Sequence, residues 1–413
     1  MSINFVNTSC MSELSKLARQ ALLQPQEAVL EVGKKKDSLF IGIPKEISFQ
    51  ENRVPLTPLS VALLVENGHE VIMESGAGEA ANFLDHHYSE QGARIVYDKA
   101  EVYQANIVIK IASPTLEEVA LMRDGQVLLS SQQPSLMSLD LLQALMKKKI
   151  TALSYEYLRD EGNTLTVVRA MSEIVGATSV LIAAEYLSNV FDGKGLMLGG
   201  VTGVPPTEMV ILGAGTVGEF AARTAIALGA QVKVFDSSVY RLRRLQNNVG
   251  SRVFTSVIQP IVLRKAVISC DVVIGAIRAT NGRSPCIINE DTVAGMKPNS
   301  VLIDVSIDQG GCFETSRITN HEAPVFRKYD VIHYCVPNIA SRVARTATYA
   351  LTNIFTPILL DIGEAGSVMN LIWSRPGIRN AIYLYQGHLT NKDMADKFGL
   401  TPKDLDLLVV FNH

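Results

Sequence analysis

The stretch "VILGAGTVGEF", residues 210 to 220, limits the folds open to this chain more than any other. An apolar run of strand character breaks at Gly213, Gly215 and Gly218, and the helical segment "EFAARTAIALG" follows. The glycines fit the spacing GxGxxG, and each has a separate reason to be there. The first permits a tight turn, the second lets a diphosphate approach the backbone, and the third lets the helix sit close to the strand. Free N–H groups at the start of that helix would face the phosphates. The next strand, "QVKVFD", ends in Asp236, where a carboxylate suits the hydroxyls of an adenosine ribose and repels a 2′-phosphate. The turn therefore predicts NAD. Arg241, Arg243 and Arg244, just beyond, either keep NADP open as the lesser alternative or form a solvated cationic helix face.

A chain of 413 residues is long for one core, since single cores stop growing near ~250–300 residues, so two domains with a cleft between them are expected. Hydrophobic residues at 47% and charged ones at 19% exclude disorder. The net charge of -3, with no basic block longer than "KKKD" or "KKK", excludes nucleic acid as an expected partner. The five cysteines are scattered and form no CxxC pair, which reads as reduced thiols in the cytoplasm and points to no metal. No basic side chain precedes Lys16, and the longest apolar stretch, 171 to 191, carries Glu173 and Glu185, so neither a signal peptide nor a membrane span is expected.

Residues 1–38 read as an N-terminal extension that ends in the charged "GKKKDS". From Leu39 short apolar runs ("LFIGIP", "HEVIMES", "IVIKI", "QVLLSS", "ITALSYEY") alternate with helical segments, the first marked by Thr57 as N-cap, Pro58 and a closing Gly68. A second series, 167–343, opens on the long helical "VRAMSEIVGATSVLIAAEYL" and holds the strands "EMVILG", "QVKVFD", "DVVIGAI", "SVLIDVSID" and "DVIHYCV". The tail, 344–413, reads as helical, without strands of its own, and packing back onto the first series. The fold class is thus α/β: two doubly wound parallel-sheet domains, residues 39–166 with 344–413 as the substrate domain and 167–343 as a Rossmann dinucleotide-binding domain. Ligands gather at the carboxyl ends of such strands. Asp308, closing "SVLIDVSID", should project into the cleft unless it caps the turn "QGG", and the Asn338 amide, after "DVIHYCV", touches nicotinamide or substrate unless it bonds its own turn.

Several segments together resemble the alanine dehydrogenase and nicotinamide nucleotide transhydrogenase family: "GIPKE…ENRVPLTP", "GHEVIMESGAGE", "MSEIVG", "KGLMLGGVTGV", "VILGAGTVGEFAAR", "VLIDVSIDQGGCFETS" and "TATYALTN". They run from about 41 to 355, and "IDQGGCFE" looks like the alanine dehydrogenase branch. The resemblance implies reversible oxidation of L-alanine to pyruvate and ammonia with NAD by a homo-oligomer, commonly a hexamer. It places the family's substrate arginine on Arg53, its aspartate near the nicotinamide on Asp308, its cofactor serine and preceding methionine on Ser172 and Met171, and its cleft asparagine on Asn338. A surface ion pair for Arg53 and a backward-bonding helix hydroxyl for Ser172 are the structural alternatives.

Two positions depart from the family. Its "KVKEP"-like strand end here reads "KIASP", so Ala112 stands where the substrate lysine belongs and Lys110 matches only the preceding lysine. Its acid/base histidine corresponds to Gln133 in "SSQQPS". Glutamines 132 and 133 orient water but cannot exchange protons. On a strand Lys110 faces the same side as Ala112, about 7 Å further back, so its long stem is one replacement. His333, near Asn338, is another, unless it is a buried neutral histidine bonded to backbone. The main expectation is an NAD-dependent amino-acid dehydrogenase with an altered acid/base site. A catalytically impaired NAD-binding sensor or interaction subunit, and a soluble transhydrogenase-like component, are the alternatives.

Overall fold

The computed structural model describes residues 38–132, 137–278 and 283–410, so the extension before Ser38 and Gln133 lie outside the described residues. The first parallel series is β1 (Phe40–Ile43), β2 (Glu70–Glu74), β3 (Arg94–Val96), β4 (Ile107–Ile109), β5 (Val127–Ser130) and β6 (Thr151–Ser154). The second comprises β7 (Glu208–Leu212), β8 (Gln231–Asp236), β9 (Phe254–Val257), β10 (Val272–Gly275), β11 (Val301–Asp304), β12 (Val325–Lys328) and β13 (Val331–Tyr334), all parallel except the edge strand β12, which runs antiparallel to β13. Two late strands follow, β14 (Ile382–Tyr385) and β15 (His388–Leu389). They form two sheets, ordered β15-β14-β6-β5-β4-β1-β2-β3 and β12-β13-β11-β10-β7-β8-β9.

The near-continuous apolar strands are explained by burial on both faces, as parallel sheets covered by helices require. In β4, Ile107 and Ile109 join the core that also holds Leu351, Phe355 and Leu359, while Val108 between them joins the opposite core with Leu142 and Leu145. In β7, Met209 and Ile211 divide in the same way from Val210 and Leu212. The strand order reverses direction at β1, flanked by β4 and β2, and at β7, flanked by β10 and β8. Each reversal opens a crevice beyond the carboxyl ends of the strands, the usual place for a ligand.

Two 22-residue helices, Thr166–Leu187 and Ala344–Ala365, carry the chain from one sheet to the other and back, and they pack on each other. By length and composition Thr166–Leu187 could cross a membrane. Here it packs along helix Thr216–Ala227, and its Val180, Ile182, Ala183 and Leu187 are buried in the core. Gly176 makes that approach possible, because a Cβ there would stand 2.4 Å from the Val217 carbonyl oxygen.

The helix at Pro58–Glu66 has its Thr57 cap and ends before Gly68, at φ +74°. Elsewhere the structure departs from the sequence pattern. The tail is not only helical: β14 pairs antiparallel with β6 and with β15, extending the first sheet. Strand β11 stops at Asp304, and Asp308 sits in the short 3₁₀ turn Val305–Gln309 beyond it.

Candidate active site

After β1 the chain enters the crevice as a loop whose backbone is tied from the return helix and from the 3₁₀ turn Ile339–Val343 that precedes it. The Asn52 N–H donates to Ser341 Oγ at 2.8 Å, the Val54 N–H to Thr348 Oγ1 at 3.2 Å and the Thr57 N–H to Thr352 Oγ1 at 2.8 Å. Thr348 and Thr352 lie one turn apart and so share a helix face. Arg53, held between these ties, is only 9% exposed. Its Nε and Nη2 donate to the two carboxylate oxygens of Glu51 at 2.7 and 2.6 Å, and Nη1 reaches Met171 Sδ at 3.4 Å. Burial alone would weaken the cation, but the Glu51 charge and hydrogen bonds outweigh it and hold the pKa above its ordinary value. The fork geometry of this pair is the strong, orienting kind.

The facing wall belongs to the second sheet. Asn338, at φ 55°, donates from Nδ2 to Glu51 Oε2 at 2.9 Å, so one carboxylate binds both the arginine and the opposite domain. The backbone N–H of Asn338 meets the Asp308 carboxylate. Asp308 is exposed on one side, while protein atoms crowd the rest of its carboxyl. That burial pushes its carboxyl up to about 6, against the Asn338 N–H and the nearby Arg53 charge. Beneath it, fully buried Asp304 accepts from Ser306 N–H at 3.0 Å, Cys312 N–H at 3.0 Å and Ser316 Oγ at 2.6 Å. The turn closes over it through Gly310 and Gly311 at φ +97° and +76°, a conformation that favours glycine.

At the second switch point the three glycines divide their tasks. A Cβ on Gly213 would stand 2.4 Å from the Ala276 carbonyl oxygen, and one on Gly218 would stand 1.9 Å from the Gly213 carbonyl oxygen. A Cβ on Gly215 would meet nothing within 4 Å. The first and third are therefore demanded by the fold. The second leaves an open cradle at the N-terminus of Thr216–Ala227, and it fits a diphosphate. Asp236 is 3% exposed; its oxygens accept from Ala214 N–H and Ser238 N–H, both at 2.7 Å, and Arg241 Nη1 lies 3.9 Å away. It thus braces the glycine turn from the neighbouring strand. Arg241, Arg243 and Arg244 are exposed, and Arg244 also bonds the Ala214 carbonyl at 3.3 Å.

The strand ends of the first sheet supply the rest. Lys110 is fully buried, with Nζ 3.1 and 2.9 Å from the oxygens of Glu118 and 3.6 Å from Glu46. Glu46 follows β1 and accepts from the N–H groups of Ile111 and Ala112, beyond β4. Burial pushes its carboxyl up to about 7 against the pull of Lys110. Burial would raise Glu118 too, but the Lys110 charge and hydrogen bond keep it below its usual value. Tyr155 donates to the Ile111 carbonyl at 2.7 Å, and Glu156 accepts from Ser131, from Gln132 N–H at 3.3 Å and from Ser154 Oγ at 2.6 Å.

The crevice therefore brings together Arg53, Met171, Asn338 and Asp308, with half-buried Ser172 next to Met171 on the same helix. The structure does not bring His333 to them. It is fully buried in β13, with Nε2 2.8 Å from Thr315 Oγ1, Nδ1 2.9 Å from the Val331 carbonyl and its ring stacked on Phe326. Burial lowers its pKa to about 4, so it is the neutral core histidine and not a stand-in acid/base. Lys110 is likewise committed, to two carboxylates rather than to the cleft. Sequence reasoning missed Glu51 and Glu46. Both had a signal, since Glu51 lies two residues before Arg53 and Glu46 ends "GIPKE" directly after a strand.

Comparison with known proteins agrees with this fold. Residues 42–175 match the model of the alanine dehydrogenase/PNT N-terminal domain, and residues 179–392 match that of the C-terminal domain. The alanine dehydrogenase of Bacillus subtilis is 39% identical over 366 residues, covering 87% of this chain and 95% of that one. That of Methanococcus maripaludis is 39% identical over 363 residues, covering 86% and 96%. A solved L-alanine dehydrogenase superposes with a TM-score of 0.82 at 36% identity, over 87% of this chain and 99% of that one. A transhydrogenase from Sinorhizobium meliloti, at 22% identity, TM-score 0.73 and coverage of 86% and 99%, shares the fold. This chain belongs to the alanine dehydrogenase/PNT family.

Proposed function

We propose that this chain is an NAD-dependent dehydrogenase acting on the CH–NH₂ group of L-alanine, converting it with water to pyruvate and ammonia. One observation carries the reading: Arg53 of the first domain and Asp308 of the second line one crevice, joined through Glu51 and Asn338. Glu51 occupies Nε and Nη2 of Arg53, which leaves Nη1, beside Met171, to take a substrate carboxylate. Asp308, ionised above about pH 6, sets a negative charge on the opposite wall, where a substrate ammonium or a cationic ring is favoured. Bound NAD supplies the hydride acceptor. Gly213, Gly215 and Gly218 give its diphosphate a cradle, with Asp236 as the ribose partner and Ser172 and Asn338 as further contacts.

The chain assembles with copies of itself, as a hexamer by the resemblance. The support is a set of exposed apolar side chains in the segment after the long helix, among them Val190 at 81%, Met197 at 61% and Val201 at 60% exposure. Free buried Cys270, Cys312 and Cys335 support a reducing, cytoplasmic setting.

Arg53→Ala tests the substrate assignment. NADH formation from L-alanine is expected to vanish while NADH binding, followed by fluorescence titration, is unchanged. Undiminished turnover in that variant would remove Arg53 from the substrate site.

A further inference from the structure

The reaction consumes a water and moves protons, yet Ala112 and Gln133 stand where the resemblance expects a lysine and a histidine. The switch point of the first sheet holds an ionisable group suited to the task. There the ends of β1 and β4 meet, and Lys110, Glu118 and Glu46 are withdrawn from water together, with side-chain exposures of 0%, 1% and 4%. Two carboxylates share one ammonium, so full ionisation would leave a single buried negative charge, which a low-dielectric setting relieves by placing a proton on one carboxylate.

The contacts select which one. Glu118 has the short Lys110 bonds and also the Thr115 N–H at 2.8 Å, so it keeps its charge. Glu46 has the longer Lys110 contact, 3.6 Å, and feels the like charge of Glu51. Its other partners are backbone N–H groups at Ile111 and Ala112, the strand end from which the family's lysine would project. The ionisable groups acting on it are Lys110, Glu51, Arg53 and Tyr103, with Glu118 on the far side of the shared Lys110. Burial dominates among these influences and sets the carboxyl at about 7, near a working pH.

We propose that Glu46 is the general base of this chain, taking a proton from the water that attacks the substrate carbon and returning it to the departing nitrogen. The proposal rests on the alanine dehydrogenase reading. The substrate ammonium first gives up one proton to solvent, and loss of the Cα hydride from the free amine leaves the substrate as a cationic imine. Water oxygen bonds to the imine carbon, one water proton passes to the Glu46 carboxylate, and the C=N π pair becomes the nitrogen lone pair. The Glu46 carboxyl then protonates that nitrogen. The C–N bond breaks with its electrons leaving on ammonia, the hydroxyl oxygen becomes the ketone oxygen, and the hydroxyl proton converts ammonia to ammonium.

Two readouts on the full chain test it, with Glu46→Gln and Glu46→Asp. Infrared difference spectra of the ligand-free protein are expected to show a protonated carboxyl band with a component that grows below about pH 7 in wild type and is missing from Glu46→Gln, which keeps the Asp308 component near pH 6. In assays with L-alanine and NAD, wild-type kcat/KM is expected to fall on the acid side of about pH 7. Glu46→Gln should lose about 10²-fold or more, together with that limb, while Glu46→Asp keeps a titrating limb at reduced rate. Wild-type turnover with the same acid limb in Glu46→Gln, equal losses in both variants, or a carboxyl band without that component would overturn the role of Glu46 and leave the alanine reading standing. No turnover of alanine by wild type overturns both.

Discussion

At Arg53 the chain buries a guanidinium and answers it with a carboxylate two residues away, then uses that same carboxylate to reach Asn338 across the cleft. Lys110 repeats the device with two carboxylates, and there the energetics can be tested by stability. Lys110→Met leaves Glu118 and Glu46 buried without a cation, which should cost about 3–5 kcal/mol near pH 8. The sign with pH follows from proton uptake. In wild type the lowered Glu118 gives stability that is complete above its ordinary pKa, 4.5, and is lost as pH falls through the lower folded value. Without Lys110 both carboxyls are raised, the folded state binds the extra protons, and stability grows as pH falls. Urea unfolding should therefore show the deficit of the variant shrinking between pH 8 and pH 5. The meeting of Arg53 and Asp308 is legible in the sequence, because chemistry and position coincide there. Lys110 is not the replacement that strand periodicity suggests, and His333 is the buried neutral histidine given as its structural alternative: periodicity tells which face a side chain takes but not which partners wait there, Glu118 from the following helix and Thr315 from a loop before β12.

Among the elements, the glycine turn gives the sharpest contrast. Gly215→Ala puts a methyl into open space, so the thermal midpoint should be unchanged while NADH affinity drops about tenfold or more, ~1.4 kcal/mol. Gly218→Ala drives a methyl against the Gly213 carbonyl, so both the midpoint and the affinity should fall. Scanning calorimetry and NADH titration of the two variants separate these outcomes. The long apolar strands were readable because burial on both faces leaves few polar interruptions. Short edge strands were not. β3, with three residues, and β15, with two, are too brief for a period, and β12 carries Arg327 and Lys328 as edge strands often do. Asp308 was assigned to a strand end because "VSID" continues the apolar alternation, whereas the buried Asp304 carboxylate draws the chain into a turn by accepting from Ser306 and Cys312.

For the whole molecule, the decisive feature is that the loop after β1 in one sheet and the turns after β11 and β13 in the other meet in one cleft. The apolar side chains left outside that arrangement set its expected assembly. Charged replacements at two of them, Met197→Asp with Val201→Asp, should reduce the sedimenting mass of the proposed oligomer while leaving the far-ultraviolet circular dichroism of the fold unchanged. Two domains and a cleft followed from chain length and the repeated α/β pattern. The pairing of Glu51 with Asn338 across the cleft did not, because 287 residues separate them and no local pattern encodes the contact. The central claim is that this cleft oxidises alanine despite Ala112 and Gln133, and it is tested most directly by steady-state NADH formation from a panel of amino acids with NAD over a pH series. The account predicts turnover with L-alanine that declines as the medium is acidified through about pH 7. Tight NADH binding with no amino acid oxidised at any pH would contradict it.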